Sequence, residues 1–471
     1  MHDLGASTPA TPRRLTVGYV GGGSRGWART LMNDLAQCTD LAGEVRLYDV
    51  DTGAARENAR LASRIQDHED AVGDWEYTVA ETLADALAGA DFVVCSTQDP
   101  PAETFAHDLS IPEEYGIYQS VGDTVGPGGA MRAMRAVPQY REIAAAVREH
   151  CPDAWVINYT NPMSVCTRTL YEEYPAINAV GLCHEVFFTQ AYLADLLAEY
   201  RGVDAAREDV DVDVSGVNHF TWLTGARFRG EDLWPLIERR SEELGELPAH
   251  EPGELADEPT GVDSFHVTFD LYRRFGAFPA AGDRHLAEFV PWYLDIDAPE
   301  EVHRWGIRLT RAEHRVDYWP EEERERERYR SGEADWEFED SGEEIVDIFR
   351  ALCGIAPLKT NVNLPNRGQA PGLPAGAVVE TNGLFTGDSL TPLTADPLPD
   401  AAASLVRRHA DNQETLVAAG FEGDVDRAYR AFLSDPLVNC DAERARALFR
   451  ELVAAERPYL EDWDLADSEV L

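Results

Sequence analysis

Residues 15–51 place a strand-like apolar run, LTVGYVGG, directly against the spacing G-x-G-x-x-G (Gly21, Gly23, Gly26), followed by a helix-like stretch, RGWARTLMNDLAQ. A second apolar run, EVRLYDVD, comes next and carries Asp49 at its end. Strand, glycine turn, helix and strand in this order begin a βαβ unit. The first glycine permits the tight turn, the second lets backbone approach a pyrophosphate, and the third lets helix and strand pack closely. A pyrophosphate would rest on the helix N-terminus, against Gly21, Gly22, Gly23, Ser24 and Gly26. The Asp49 carboxylate can hold two ribose hydroxyls and would repel a 2′-phosphate, so NAD is expected over NADP. A glycine-rich turn without a ligand is the plain alternative. The second strand with its terminal carboxylate speaks against it.

The alternation continues. ENARLASRIQDHEDA (57–71) reads as a helix, and DFVVCST (91–97), WVINYTNP (155–162) and AINAVGLCH (176–184) read as strands. Apolar runs alternating with helical periodicity predict a mainly parallel sheet. The expected fold is therefore α/β: a polar tail over 1–13, a Rossmann-type dinucleotide-binding domain over 14–200, and an α+β domain for substrate and oligomerisation over 201–471. In the second half, DVDVSGVNHFTWLTGARF (211–228) alternates like one half-buried strand. The stretch EEERERERYRSGEADWEFEDSGEE (321–344) reads as an exposed helix or insertion, and AAASLVRRHADNQETLVAAG and ARALFRELVAAE as terminal helices.

Charge and cysteine usage limit the function classes. The net charge is −45, and Lys359 is the only lysine. Nucleic-acid binding needs a basic footprint, which is missing. The acidic residues are spread through every segment. That pattern predicts a halophilic surface, since so much like charge is tolerable only when salt screens it. The seven cysteines lie far apart with no repeating spacing, as expected of reduced thiols in a cytoplasm. No leader-like or membrane-spanning apolar run is present.

Three further stretches supply polar groups near predicted strand ends. GLCHE places Cys183 and His184 at the carboxyl end of a strand, where open α/β sheets collect ligands. NYTNPMSV offers Asn161, GVNHFTWL offers His219, and FPAAGDRHLAEF offers Asp283, Arg284, His285 and Glu288. A lone histidine is more often a satisfied structural residue than a ligand. A thiolate and an imidazole with open positions nevertheless suit a borderline divalent ion, and two protein ligands plus substrate oxygens suggest manganese rather than zinc. A Cys–His nucleophile pair is the rival account of Cys183–His184, but adjacent strand residues face opposite ways.

Taken together, YVGGGSRGWARTLMNDLA, NYTNPMS, GLCHE, GVNHFTW, GDRHLAEF, NVNLPNRGQ and AVVETN resemble glycoside hydrolase family 4, the NAD- and metal-dependent glycosidases. IYQSVGDTVGPGG (117–129) and PAAGDRHLAEF look most like its α-galacturonidase subgroup. The resemblance implies metal ligands at Cys183 and His219, a substrate-binding Asn161 and a substrate-pocket residue at Asp123. It also implies His184 as the acid and Asp283 as the base. A uronate carboxylate would need a cation, for which Arg284 is the candidate, with a structural ion pair as its plain alternative. The implied chemistry is hydride removal from C3 of the sugar, loss of the C2 proton, elimination of the glycosidic oxygen, addition of water and return of the hydride; the usual two-carboxylate pair is not used. The expected partners are a small carbohydrate and further copies of the chain, in a homodimer or homotetramer. Competing readings are an α-glucosidase or α-galactosidase of the same family, an NAD-dependent hydroxy-acid dehydrogenase, and a non-catalytic sugar sensor.

Overall fold

A computed structural model describes residues 11–98, 102–248, 250–251, 264–310, 324 and 327–471. The first ten residues of the polar tail and part of the acidic stretch lie outside these.

The first half is doubly wound. Strand β1 (Arg13–Val20) is flanked by β2 (Leu41–Tyr48) and β4 (Phe92–Cys95), with β3 (Asp74–Val79), β5 (Trp155–Asn158) and β6 (Asn178–Gly181) completing the spatial order 3-2-1-4-5-6, all parallel. Helix α1 (Trp27–Ala36) buries Ala28, Leu31, Met32 and Leu35, one face at helical spacing, and α2 (Thr52–Gln66) starts where the Asp51 carboxylate accepts the Ala54 N–H. These two cover one face of the sheet; α3 (Leu83–Leu87), α5 (Gly126–His150) and α6 (Met163–Glu173) cover the other. Between β4 and α5 runs α4 (Ala102–Glu114). Strand order reverses between β1 and β4, so the loops after β1, β2, β4, β5 and β6 open on one crevice. Gly21, Asp49, Ser96, Asn161 and Cys183 all lie on those loops.

After α7 (Glu185–Arg201) the sheet does not stop. Strand β11 (Leu358–Pro365) pairs antiparallel with β6 at Asn363 and Gly181. It leads to β12 (Val378–Phe385), β7 (Val210–Val217), β8 (Phe220–Phe228) and β10 (Phe278–Pro279), so both halves share one mixed sheet. The short β9 (Glu231–Asp232) and β13 (Leu390–Pro392) hang off this path. Helices α8 (Trp234–Glu243), α9 (His266–Phe275) and α10 (Asp283–Glu288) and the three terminal helices, Asp400–Glu422, Val425–Ser434 and Ala442–Glu456, pack around it. No described helix is long and apolar enough to cross a membrane.

Two expectations change. Residues 211–228 form a hairpin, β7 and β8, turning at Asn218–His219 with His219 at φ 65°. A histidine in the left-handed region is unusual and strained, and sequence alternation alone does not announce it. The described part of the acidic stretch is helical only up to its residue 331; residues 335–344 run without helix across α1 before helix α11 (Ile345–Leu352). Trp336 and Phe338 bury against the α1 and α2 side of the core, so this piece is a packed strap.

Candidate active site

The glycine turn is built for close approach. Gly21 sits at φ 94°, and a Cβ there would meet the Ser96 carbonyl oxygen at 2.2 Å. At Gly22 a Cβ would come 2.7 Å from Leu47 Cβ, and at Gly23 it would come 2.7 Å from Ala54 Cβ and 2.9 Å from Asp49 Oδ2. At Gly26 it would have nothing within 4 Å. The close helix–strand packing expected of the third glycine therefore falls to Gly22, while Gly26 leaves the start of α1 open. The Asp49 carboxylate accepts the Gly23 N–H at 2.8 Å and the Asp51 N–H at 2.9 Å; burial raises its pKa. Asn58 of α2, which sequence reading missed, donates to the Gly22 and Ser24 carbonyls at 2.8 and 2.9 Å. Ser24 Oγ meets Ser96 Oγ at 3.1 Å. The turn is thus held in place, and its last residues, Arg25 and Gly26, are exposed at the start of α1, where a pyrophosphate would lie.

Across the crevice, Asp123, His219 and His285 bring their ligand atoms within 4.8 Å of one another. Asp123 comes from the loop before α5, His219 from the strained hairpin turn and His285 from α10. The two imidazoles lie 3.6 Å apart, centroid to centroid. His219 Nδ1 pairs with Thr124 Oγ1 at 2.9 Å, and Asn161 donates to Asp123 at 3.1 Å. The structure therefore brings Asn161, Asp123 and His219 together. His285 is the added member. Its GDRH motif was noticed, but only the geometry separates it from its neighbours.

Electrostatics suit this group to a cation. Burial, and then the neighbouring His285, lower the His219 pKa to about 3. Burial first, with Arg284 and His184 adding to it, takes His285 to about 4 despite the opposing Asp123. Both rings are neutral at pH 7, the form a metal needs. Burial pushes the Asp123 carboxyl up, but His285, His219 and Arg132 outweigh it and hold it well below the ordinary carboxylate range. His285 Nε2 lies 3.5 Å from Glu185 Oε1, while its Nδ1 is buried with no hydrogen-bond partner among the described residues. Asn161 Oδ1 is orphaned in the same way. An imidazole oriented by a carboxylate on one nitrogen and unsatisfied on the other is the arrangement of a metal-binding histidine. One carboxylate and two imidazoles also suit a hard or borderline divalent ion.

The remaining expected residues take separate places. Cys183 stands outside the group of three, although it follows β6 into the same crevice. Burial, then the charges of Glu380 and Glu185, hold its thiol protonated well above the usual range. Only a bound cation would reverse that balance. His184 stands at the N-cap of α7: Nδ1 is 2.8 Å from Glu343, and the ring stacks on Trp27 at 5.4 Å and meets the Phe188 edge at 5.2 Å. His184 Nδ1 is taken by Glu343 and the Cys183 thiol stays protonated, so they form no nucleophile–base pair. Burial lowers the His184 pKa, but Glu343 and Glu185 outweigh it and the net shift is upward. Its charge is felt at both His219 and His285, so it borders the cluster.

Asp283 does not fit the role of base. The side chain is fully buried, and Oδ1 accepts the Thr268 N–H and hydroxyl at 2.9 and 2.7 Å. Oδ2 accepts the Val267 N–H and the Ser264 hydroxyl, each at 3.2 Å. It serves the first turn of α9, whose N–H groups would otherwise be orphaned. Arg284 is likewise committed: it donates to the Ser120 and Arg308 carbonyls at 2.6 and 3.1 Å and to the Thr310 hydroxyl. Arg132, buried on α5, was not singled out by sequence. Its guanidinium lies 3.5 Å from the Asn161 carbonyl, and its charge reaches Asp123. Glu288 accepts the Val121 and Gly122 N–H groups at 2.7 and 2.8 Å and so anchors the loop bearing Asp123; burial raises its pKa to about 8.

Comparison with known proteins adds three findings. Residues 16–199 match the model "Family 4 glycosyl hydrolase", and residues 214–438 match "Family 4 glycosyl hydrolase C-terminal domain". The α-galacturonidase of Thermoanaerobacterium saccharolyticum is 44% identical over 458 residues, covering 96% of this chain and 97% of that protein. Among solved structures, Bacillus subtilis LplD, a glucosidase by its description, superposes with a TM-score of 0.87 at 43% identity, covering 94% of this chain and 99% of that one. The 6-phospho-β-glucosidase of Thermotoga maritima, solved with manganese, NAD+ and glucose-6-phosphate, shares the fold at a TM-score of 0.73 and 21% identity, covering 95% and 99%.

Proposed function

The chain belongs to the family 4 glycosyl hydrolases and is a glycosidase, and from that premise we propose that it hydrolyses α-D-galacturonides with the help of NAD and a divalent ion, manganese in our reading. One observation carries the cofactor part. A glycine turn shaped for a pyrophosphate and a carboxylate–imidazole–imidazole group with an orphaned nitrogen open on the same crevice. An ordinary glycosidase pair of carboxylates needs neither. The galacturonide part rests on the α-galacturonidase relatives.

The residues that would hold the ion are His219, His285 and Asp123, with Cys183 at the border. Bound NAD+ and the ion would supply a reversible hydride acceptor and a Lewis acid for the sugar hydroxyls. The chain's own residues hold the sugar and supply the leaving-group proton. Asn161, tied to Asp123, presents an orphaned carbonyl oxygen to a sugar hydroxyl. His184 gives a proton to the departing glycosidic oxygen. Arg132 meets the uronate carboxylate, because its guanidinium lies beside Asn161 and its charge reaches Asp123. That local cation works against the −45 field, which repels an acidic sugar.

A panel of aryl α-glycosides with NAD+ and Mn2+ in molar salt tests the reading. Turnover of the galacturonide should exceed that of the galactoside and glucoside, and Arg132→Leu should raise KM for the uronide by about tenfold or more while changing the neutral sugars little. Faster turnover of a neutral α-galactoside or α-glucoside by the native enzyme would overturn it. The chain would work as a halophilic cytoplasmic homodimer or homotetramer.

A further inference from the structure

The acidic stretch that sequence reading left as an insertion has a specific endpoint. Its strap is pinned to α1 by three groups. Asn33 donates to the Glu339 carbonyl at 2.8 Å, Gln37 donates to the same carbonyl at 3.1 Å, and the Ser341 hydroxyl donates to Asp34 at 2.7 Å. On the other side Arg207 donates to the Gly342 carbonyl at 3.2 Å and to Glu344 at 3.1 Å. Between these anchors the Glu343 side chain is 13% exposed and brings Oε1 to 2.8 Å from His184 Nδ1. The backbone N–H of Glu343 is itself held by the Ser341 hydroxyl at 3.1 Å. This carboxylate is delivered by a braced segment, unlike a loose surface pair.

We propose that Glu343 is a positioning residue for His184: it holds the imidazole by Nδ1, so that Nε2 is the one nitrogen that trades a proton with the glycosidic oxygen. This rests on the reading of His184 as the acid. An imidazole has two unlike nitrogens, and the partner of one decides what the other can do. The flat stack on Trp27 fixes the plane of the ring but does not tell one ring edge from the other. Glu343 supplies that choice. When the C1–O bond breaks, its electron pair goes to the leaving oxygen, which takes the Nε2 proton. When water adds at C1, Nε2 takes a proton back. The strap, the helix after the glycine turn and the acid thereby form one unit.

The test compares leaving groups. A sugar leaving group needs the proton, whereas a nitrophenolate departs without it. Glu343→Leu should lose about 10–100-fold in kcat on a galacturonide carrying a sugar leaving group, about threefold or less on the nitrophenyl galacturonide, with KM nearly unchanged on both. Glu343→Gln should stay within about fivefold of native on both, because its amide oxygen accepts the same N–H. If Glu343→Leu does not fold, as judged by melting and NAD titration, Glu343→Ser replaces it, since its hydroxyl is too short to reach Nδ1. Equal loss on both leaving groups, no loss on either, or a Gln variant as impaired as the truncated one would each overturn the proposal. The parent reading fails separately, if the native enzyme leaves galacturonides intact or if His184→Ala keeps full activity on the sugar leaving group.

Discussion

On one short helix, Asp283 turns its carboxylate to the first turn of α9 while His285, two residues on, turns its ring to His219. The spacing G-D-R-H shows that something polar gathers there, and it shows no more than that. Which of Asp283, Arg284 and His285 faces the crevice depends on α9 and on the segment around Arg308, both distant in sequence. The consequence is measurable. Asp283→Asn keeps the shape but loses the charge that two N–H and two hydroxyl donors surround, so it should cost about 1–3 kcal/mol of stability and leave manganese and NAD binding intact. His285→Ala should weaken manganese binding by about tenfold or more, keep NAD binding, and change the melting temperature little. Thermal melts and metal titrations read both. A stable Asp283→Asn enzyme that no longer exchanges the C2 proton would restore the base role to Asp283.

Among elements, βαβ alternation shows through the sequence because the inner strands β4 and β5 are buried on both faces and read as apolar runs, whereas the edge strand β3, exposed at alternate residues, does not. The hairpin β7–β8 does not, because its turn rests on a histidine with positive φ and no glycine marks it. The strap is hidden for another reason: Trp336 and Phe338 are its only large apolar anchors within a run of acids. A buried element contact also yields a pH dependence. Arg135 of α5 donates to Asp108 of α4 at 2.6 Å and to Glu456 at the end of the last helix. Burial, and then Asp108, raise the Glu456 pKa against the pull of Arg135, so this carboxyl keeps its proton to higher pH in the folded chain. The sign follows. The unfolded chain releases that proton near about 4.3, the folded chain only at higher pH, so this contribution is full in acid and declines as pH rises. Glu456→Gln mimics the protonated form and should flatten the fall in melting temperature between about pH 6 and 9. Parallel melting curves for the two proteins across that range would refute the raised pKa.

At the scale of the molecule, the doubly wound half was readable from the sequence, but its continuation into the second half was not. Strand β11 joins β6 through one residue pair, a long-range contact that no local pattern encodes. The net charge of −45 belongs to this scale too. Self-repulsion reaches across the surface when the Debye length is about 10 Å, at 0.1 M salt, and is cut to about 3 Å at 1 M. The melting temperature should therefore climb from low to molar KCl. A flat or falling profile would remove the halophilic reading.

In the proposed reaction nucleotide, ion and sugar meet in one crevice, and the glycosidic bond breaks through a borrowed hydride. Turnover of an α-galacturonide in D2O, followed by NMR of the released sugar, tests it most directly. Deuterium at C2 of the product, a requirement for NAD+ and Mn2+, and no net NADH are the expected results. Product that retains protium at C2, released at full rate by enzyme stripped of NAD, would contradict it.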